Sequence, residues 1–183
     1  MMNTTAFRKA VAPALAVLAL AAAAAAQDLA VTIKTVEPFP YCAIDHKGPF
    51  TDMGEVIGKL MGAMQAQGLL PEIRGPMVGV YHNSPGDTAP GDLSWEMGFV
   101  IMAQSTMQPP LARRVWEHRT VAAATHVGPY EKTGEAIEKI MAWLDAQGYE
   151  ATGPVLERYL DQNPAAVKPE SLKTEIWVPC KKK

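Results

Sequence analysis

The sequence is short of the residues that carry the commonest site chemistries. Its 183 residues hold only two cysteines, Cys42 and Cys180, and four histidines, His46, His82, His118 and His126. No histidine stands at metal-ligand spacing from another histidine, a cysteine or a carboxylate, so no metal site is expected. No nucleophile constellation stands out either. Clustered basic residues are missing except at the terminal Lys181-Lys182-Lys183, where 17 Lys and Arg in all face 19 Asp and Glu. Phosphate contacts need a basic face, so nucleic-acid binding is disfavoured.

Long apolar runs are absent but for one. Arg8 and Lys9 precede Val11 to Ala26, a run of mostly Ala, Leu and Val that ends Ala24-Ala25-Ala26 before Gln27 and Asp28. A charged start, an apolar centre and a small-residue end make a secretory signal peptide. The run is shorter than a spanning helix needs and consists mostly of weakly apolar Ala. Residues 1–26 are therefore expected to be removed, with no stable membrane anchor left and the protein exported, periplasmic or secreted. Without Arg8 and Lys9 the net charge falls from −2 to −4. Residues 27–183 suit one domain with one core. Export permits a disulfide. Cys42 and Cys180 flank strands at opposite ends of that domain, and both a bridge and two buried thiols remain open.

What the sequence does contain is a repeat. With Cys42–Leu69 laid over Ala122–Tyr149, His46 falls on His126, Gly48-Pro49 on Gly128-Pro129, and Phe50 on Tyr130. Gly54-Glu55, Ile57, Lys59, Met61 and Ala66-Gln67-Gly68 also recur, about a dozen identities without a gap. Further on, Gly75-Pro76 meets Gly153-Pro154, Tyr81 meets Tyr159, and Glu96 meets Glu175. Internal repetition sets the architecture. Each copy, about 31–104 and 113–183, reads as a β-α-β-β unit.

The spacing predicts short strands at Cys42–Asp45 and Val121–Thr125, each followed by a Gly-Pro turn. Helices follow, with apolar stripes at Met53, Ile57, Leu60, Met61 and Met64, and at Ile137, Ile140, Met141 and Leu144. Asp52 and Glu55 have capping-box spacing, and Gly68 and Gly148 suit left-handed helix ends. Strands at Met77–Tyr81, Leu93–Ile101, Val155–Leu160 and Lys173–Pro179 complete the copies, with another around Arg114–Glu117. Alternation along the strands puts Ile176, Val178, Met97 and Phe99 toward the helices. Glu175, Trp177 and Glu96 then point the other way. Glu157 shares a face with Tyr159, and Gly79 with Tyr81. The face away from the helices is expected to carry these carboxylates among aromatics. Such a set suits a flat organic cation through stacking, cation–π attraction and charge pairing.

The run Thr125-His126-Val127-Gly128-Pro129-Tyr130-Glu131, then Trp143-Leu144, Gly153-Pro154, Tyr159 and Thr174-Glu175-Ile176-Trp177-Val178-Pro179, resembles the GyrI-like family. This is the effector-binding domain also found in AraC-type and MerR-type multidrug regulators. The resemblance implies an α+β fold of tandem, SHS2-like units. They would form an antiparallel sheet of about eight strands, with two helices on one side and a ligand groove on the other. It implies lipophilic, often cationic ligands, with Glu175 as charge partner and Tyr130 and Tyr159 near the groove. Trp177 stands where the family more often has Tyr. No DNA-binding module accompanies the domain, so a stand-alone small-molecule binder is expected, with Glu175, Trp177, Tyr159, Tyr130, Glu157, Tyr81 and Glu96 at its site. Protein partners are not indicated. The alternative is a hydrolase of electrophilic lipophilic molecules, with Glu175 as base and Tyr159 or Tyr130 as acid or orienting donor. Haem, bound by SOUL-type proteins of related fold, is not expected as a cofactor. His46 and His126 are repeat-equivalent and precede Gly-Pro turns, which suits a structural hydrogen bond.

Overall fold

The computed structural model describes residues 29–183; the leader expected at 1–26 lies outside the described residues. Nine strands and two long helices follow in order. The first half holds β1 (Thr32–Thr35), β2 (Phe39–Lys47), α1 (Met53–Ala66), β3 (Ile73–Tyr81) and β4 (Ser94–Ile101). The second holds β5 (Ala112–Trp116), β6 (Thr120–Val127), α2 (Thr133–Ala146), β7 (Tyr149–Ala151), β8 (Val155–Tyr159) and β9 (Lys173–Lys182). The antiparallel sheet with two helices is the expected class. β1 and β7 were not anticipated. β1 is short and exposed throughout, so it has no apolar alternation to reveal it. β7 is three residues held by β9.

The sheet order is β1-β6-β9-β8-β3-β4-β2-β5, with β7 beside β9. This order is a palindrome in repeat terms. β6, β9 and β8 mirror β2, β4 and β3, and the pseudo-twofold axis passes between β3 and β8. α1 packs on β2 and β4, and α2 on β6, β7 and β9. Each helix thus lies mainly on its own half, and the central pair β3 and β8 runs between them, with Met77, Tyr81 and Tyr159 packed at the edge of the α1 core.

α1 buries Val56, Leu60 and Met64 against Ile44, Trp95 and Met97. α2 buries Ala136, Ile140 and Leu144 against Ala122, Ala124, Ile176 and Val178. Met61 and Met141, expected in these stripes, are exposed. Each follows a fully buried residue, and one residue is a 100° turn on a helix, which carries it off a stripe spaced by four. Gly68 and Gly148 end the helices at φ 69° and 74°, as the left-handed position requires. The capping box does not form. A single 3-10 turn, Phe50–Asp52, precedes α1, and the Asp52 carboxylate instead meets His46 Nε2 at 2.9 Å. His126 Nε2 lies 3.1 Å from the Pro129 carbonyl. Both histidines serve the turn before a helix.

The face of the sheet away from the helices is a second core and not an open surface. Phe39, Tyr41, Val78, Val80, Trp116, Val121, Leu156 and Trp177 pack together there. The Phe39 and Trp177 rings are 6.1 Å apart, edge to face. Their strands, β2 and β9, are four steps apart in the order, roughly 19 Å if the sheet were flat. The twist natural to strands has therefore become a curl that closes this face on itself. The Val36 amide donates to the Arg119 carbonyl at 2.7 Å and extends the β1–β6 ladder by one rung.

Cys42 packs in the core under α1, with Sγ 3.6 Å from Met64 Sδ, and Cys180 packs under α2. Both are free and buried. Of the two alternatives open from the sequence, buried thiols is what the fold shows.

Leu60 is wholly buried, whereas Met61 is 38% exposed. Leu60→Ala is expected to cost about 2–5 kcal/mol in urea unfolding, and Met61→Ala no more than about 0.5 kcal/mol. Similar losses for both would contradict this assignment of the helix face.

Candidate functional site

The central strands carry a buried polar cluster. On β3 and β8, the residues pointing to the helix side are Met77, Gly79 and Tyr81, and Glu157 and Tyr159. Gly79 faces Glu157 in register, and Met77 faces Tyr159. Glu157 pairs in turn with Ile176 on β9, which is a helix-facing residue. Glu157, Tyr159 and Tyr81 therefore lie on the helix side, in the gap between the helices. This corrects the expectation that they share a face with Glu175. Alternation fixes which residues of one strand share a face, but only the register between strands joins those faces into one surface.

Glu157 is 3% exposed. Tyr159 Oη donates to its carboxylate at 2.8 Å, and Tyr81 Oη stands 3.4 Å from the same oxygen. The two hydroxyls are 2.7 Å from one another. Among the described residues no cation pairs with Glu157. Burial pushes its carboxyl above the usual range, against the hydrogen bonds of Thr133, Tyr159 and Tyr81. Tyr81 and Tyr159 are pushed far up, first by burial. Glu157 adds to this for Tyr81, as Tyr81 and Glu157 both do for Tyr159.

Two rings close over this cluster. Phe50 packs edge-on against Tyr81 at 5.4 Å, and Tyr130 against Tyr159 at 5.2 Å. Phe50 and Tyr130 are repeat-equivalent, as are Tyr81 and Tyr159. Both covering rings stand on the 3-10 turn that follows a Gly-Pro pair and leads into a helix. Beyond Tyr130 and Tyr159 a cavity of about 990 Å³ opens, walled by Ile57 and Met61 of α1, Met77, Phe99 and the segment Leu160–Gln162, with Arg74 and Arg158 also at its lining.

The remaining expected residues sit on the closed face. Glu175 bonds Lys34 Nζ at 2.8 Å and Arg158 at 2.5 Å. Burial would raise its carboxyl, but Lys34, the Trp177 indole and the Arg158 charge hold it below the usual range. Trp177 is 6% exposed and carries the Arg158 guanidinium 4.6 Å from its ring centre. Glu96 is buried beside Tyr41 Oη at 3.0 Å and His82 Nε2 at 2.7 Å. Glu175, Trp177 and Glu96 thus form no part of the helix-side cavity. That face is filled by the sheet's own side chains. Sequence reading passed over Phe50, Thr133, Gly79 and Met61. The repeat match of Phe50 with Tyr130 and of Gly79 with Glu157 was the available signal.

The sequence model of the GyrI-like small molecule binding domain matches residues 29–181. The chain belongs to that family. Solved structures agree at the level of fold. The C-terminal domain of EcmrR superposes with a TM-score of 0.74 at 18% identity, covering 85% of this chain and 99% of that one. EcmrR in its DNA complex gives the same TM-score at 17% identity, covering 85% of this chain, which spans only 59% of its length. A hydrolase of Listeria innocua, encoded by lin2189, matches at 0.61 and 15% identity over 82% and 91% of the two chains. SAV2435 bound to tetraphenylphosphonium matches at 0.60 and 12% over 83% and 94%. No curated protein sequence matches the chain. As a GyrI-like domain, the chain is a small-molecule binding domain.

The raised carboxyl of Glu157 gives a pH signature. In the folded state the group keeps its proton to higher pH than in the unfolded chain, where Glu titrates near about 4.3. Folding therefore loses stability as pH rises from that value through the raised one. Glu157→Gln is expected to abolish this loss and to gain on the wild type over that window in thermal melts. Parallel pH–stability curves would contradict it.

Proposed function

We propose that this GyrI-like domain is an exported binder of amphipathic aromatic cations, with Glu157 as the counter-charge. The observation that carries the reading is a buried carboxylate with no ionic partner among the described residues, enclosed by Tyr81, Tyr159, Phe50 and Tyr130 beside a mostly apolar cavity. A buried anion is costly unless paired, and an aromatic cation supplies both the charge and the surface to stack. Tyr130 and Tyr159 form the partition between cavity and carboxylate, so entry requires those rings to part. SAV2435, a neighbour in fold, is bound to tetraphenylphosphonium. Export rests on the Arg8–Ala26 leader pattern.

Glu157 takes the role that the family resemblance suggested for Glu175. Glu175 is already neutralised by Lys34 and Arg158, and a ligand cation would gain little from it.

The second reading is hydrolysis of an electrophilic lipophilic molecule in the same groove. It is favoured by the 2.8 Å bond from Tyr159 Oη to Glu157, which sets a proton donor against a carboxylate that could activate a water admitted to the groove. The fold neighbour from Listeria innocua is a hydrolase.

The test is thermal shift of residues 27–183 with tetraphenylphosphonium, neutral aromatics and aromatic anions. At a hundredfold excess over Kd the cation is expected to add about 2.7 kcal/mol, on the order of 5–10 °C in Tm. Glu157→Gln should lose most of that shift and Glu175→Gln should keep the cation selectivity. Loss with Glu175→Gln alone would return the counter-charge to Glu175. Turnover of an epoxide or cyclopropane probe that Glu157→Gln abolishes would favour the hydrolase.

A further inference from the structure

The pseudo-twofold axis passes between two particular residues. Across β3 and β8, Met77 faces Tyr159, Gly79 faces Glu157 and Tyr81 faces Val155. The repeat matches Tyr81 with Tyr159, and hence Gly79 with Glu157. The residue at the axis is thus paired, across the strands, with its own repeat equivalent. A symmetric site would set two carboxylates against each other in one pair, where like charges repel. Here one copy supplies the carboxylate and the other supplies no side chain at all.

That vacancy is used. A Cβ on Gly79 would stand 2.9 Å from Tyr81 Oη and 3.1 Å from Tyr159 Oη. Both hydroxyls therefore rest against the bare backbone of Gly79 while they reach Glu157. The backbone itself is ordinary, with no positive φ at Gly79, so strand geometry does not demand glycine here. The asymmetry recurs at the rim. Tyr130 and Tyr159 border the cavity, whereas Phe50 is turned onto Trp95 at 6.0 Å as well as onto Tyr81, away from it.

Resting on the cation-binding reading, we infer that Gly79 is the specificity-determining residue of the site. Its bare backbone is the floor over which a flat, singly charged aromatic cation reaches Glu157 once Tyr130 and Tyr159 part. One carboxylate at the axis matches one positive charge. A floor without a side chain, under walls made of rings, matches a planar ring edge better than a bulky tetrahedral cation.

Ethidium, a planar monocation, is the probe, titrated by fluorescence against wild type, Gly79→Ala, Tyr81→Phe, Gly79→Ala/Tyr81→Phe and Glu157→Gln. Tetraphenylphosphonium is run in parallel, and far-UV circular dichroism and Tm report folding. Gly79→Ala is expected to weaken ethidium on the order of tenfold or more, the range for one methyl group in a pocket, and to affect tetraphenylphosphonium less. The Tyr81→Phe background removes the hydroxyl nearest the new methyl. If Gly79→Ala alone fails to fold, the double variant set against Tyr81→Phe decides. Persistent weakening there supports the floor. Wild-type affinity in Gly79→Ala, or recovery of the double variant to the Tyr81→Phe level, would overturn it and leave the binding reading standing. Tetraphenylphosphonium binding that needs Glu157, with no ethidium binding, would likewise overturn only the planar specificity. Absence of any cation binding would remove both readings together.

Discussion

The contact between Phe39 and Trp177 governs the rest of the molecule. It joins strands that a flat sheet would hold far apart, and it forces the sheet to curl until its helix-free face is closed. A sheet curled this way spreads on its outer face. α1 and α2 follow their own halves outward, and β3 and β8 run between them. The apolar packing that removes one surface from water thereby produces the gap in which the site is built. Tyr41, Trp116, Val78 and Leu156 complete the inner core.

The same curl divides the carboxylates into two kinds. Glu96 and Glu175 are repeat equivalents on the inner face, and each has found partners, His82 and Tyr41 for one, Lys34 and Arg158 for the other. Their charge is spent on the structure. Glu157 stands alone on the outer face, with hydroxyl donors but no cation, and burial favours its protonated form. A group in that state responds strongly to an arriving positive charge, because pairing removes the penalty that burial imposes. Charge partnership, more than burial as such, separates the structural glutamates from the candidate functional one.

Duplication explains both the regularity and the departure from it. Two similar units meeting across β3 and β8 put equivalent residues at the axis, and the cage of Phe50, Tyr130, Tyr81 and Tyr159 is nearly symmetric. A ligand-sized site cannot stay symmetric at its centre when the central residue carries a charge. The Gly79–Glu157 pair resolves that conflict, since the copy without a side chain accommodates the hydroxyls that the other copy's carboxylate needs.

The repeat, the helix stripes and the left-handed helix ends were legible in the sequence because they depend on local spacing and on glycine's freedom at positive φ. Family membership was legible from Thr125–Glu131 and Thr174–Pro179 for the same reason, and Glu157, Tyr159, Tyr81 and Tyr130, named as candidates from the sequence, are brought together by the fold. The sequence alone thus determined two β-α-β-β units and the aromatic and acidic residues that make a site possible. It could not place Glu157 and Glu175 on opposite faces, because facing follows from β8–β9 register and register is a relation between distant segments. Nor could it show which side was open. Only the tertiary structure decided that, since a curl summed over nine strands determines which face closes and which carboxylate is left without a cation.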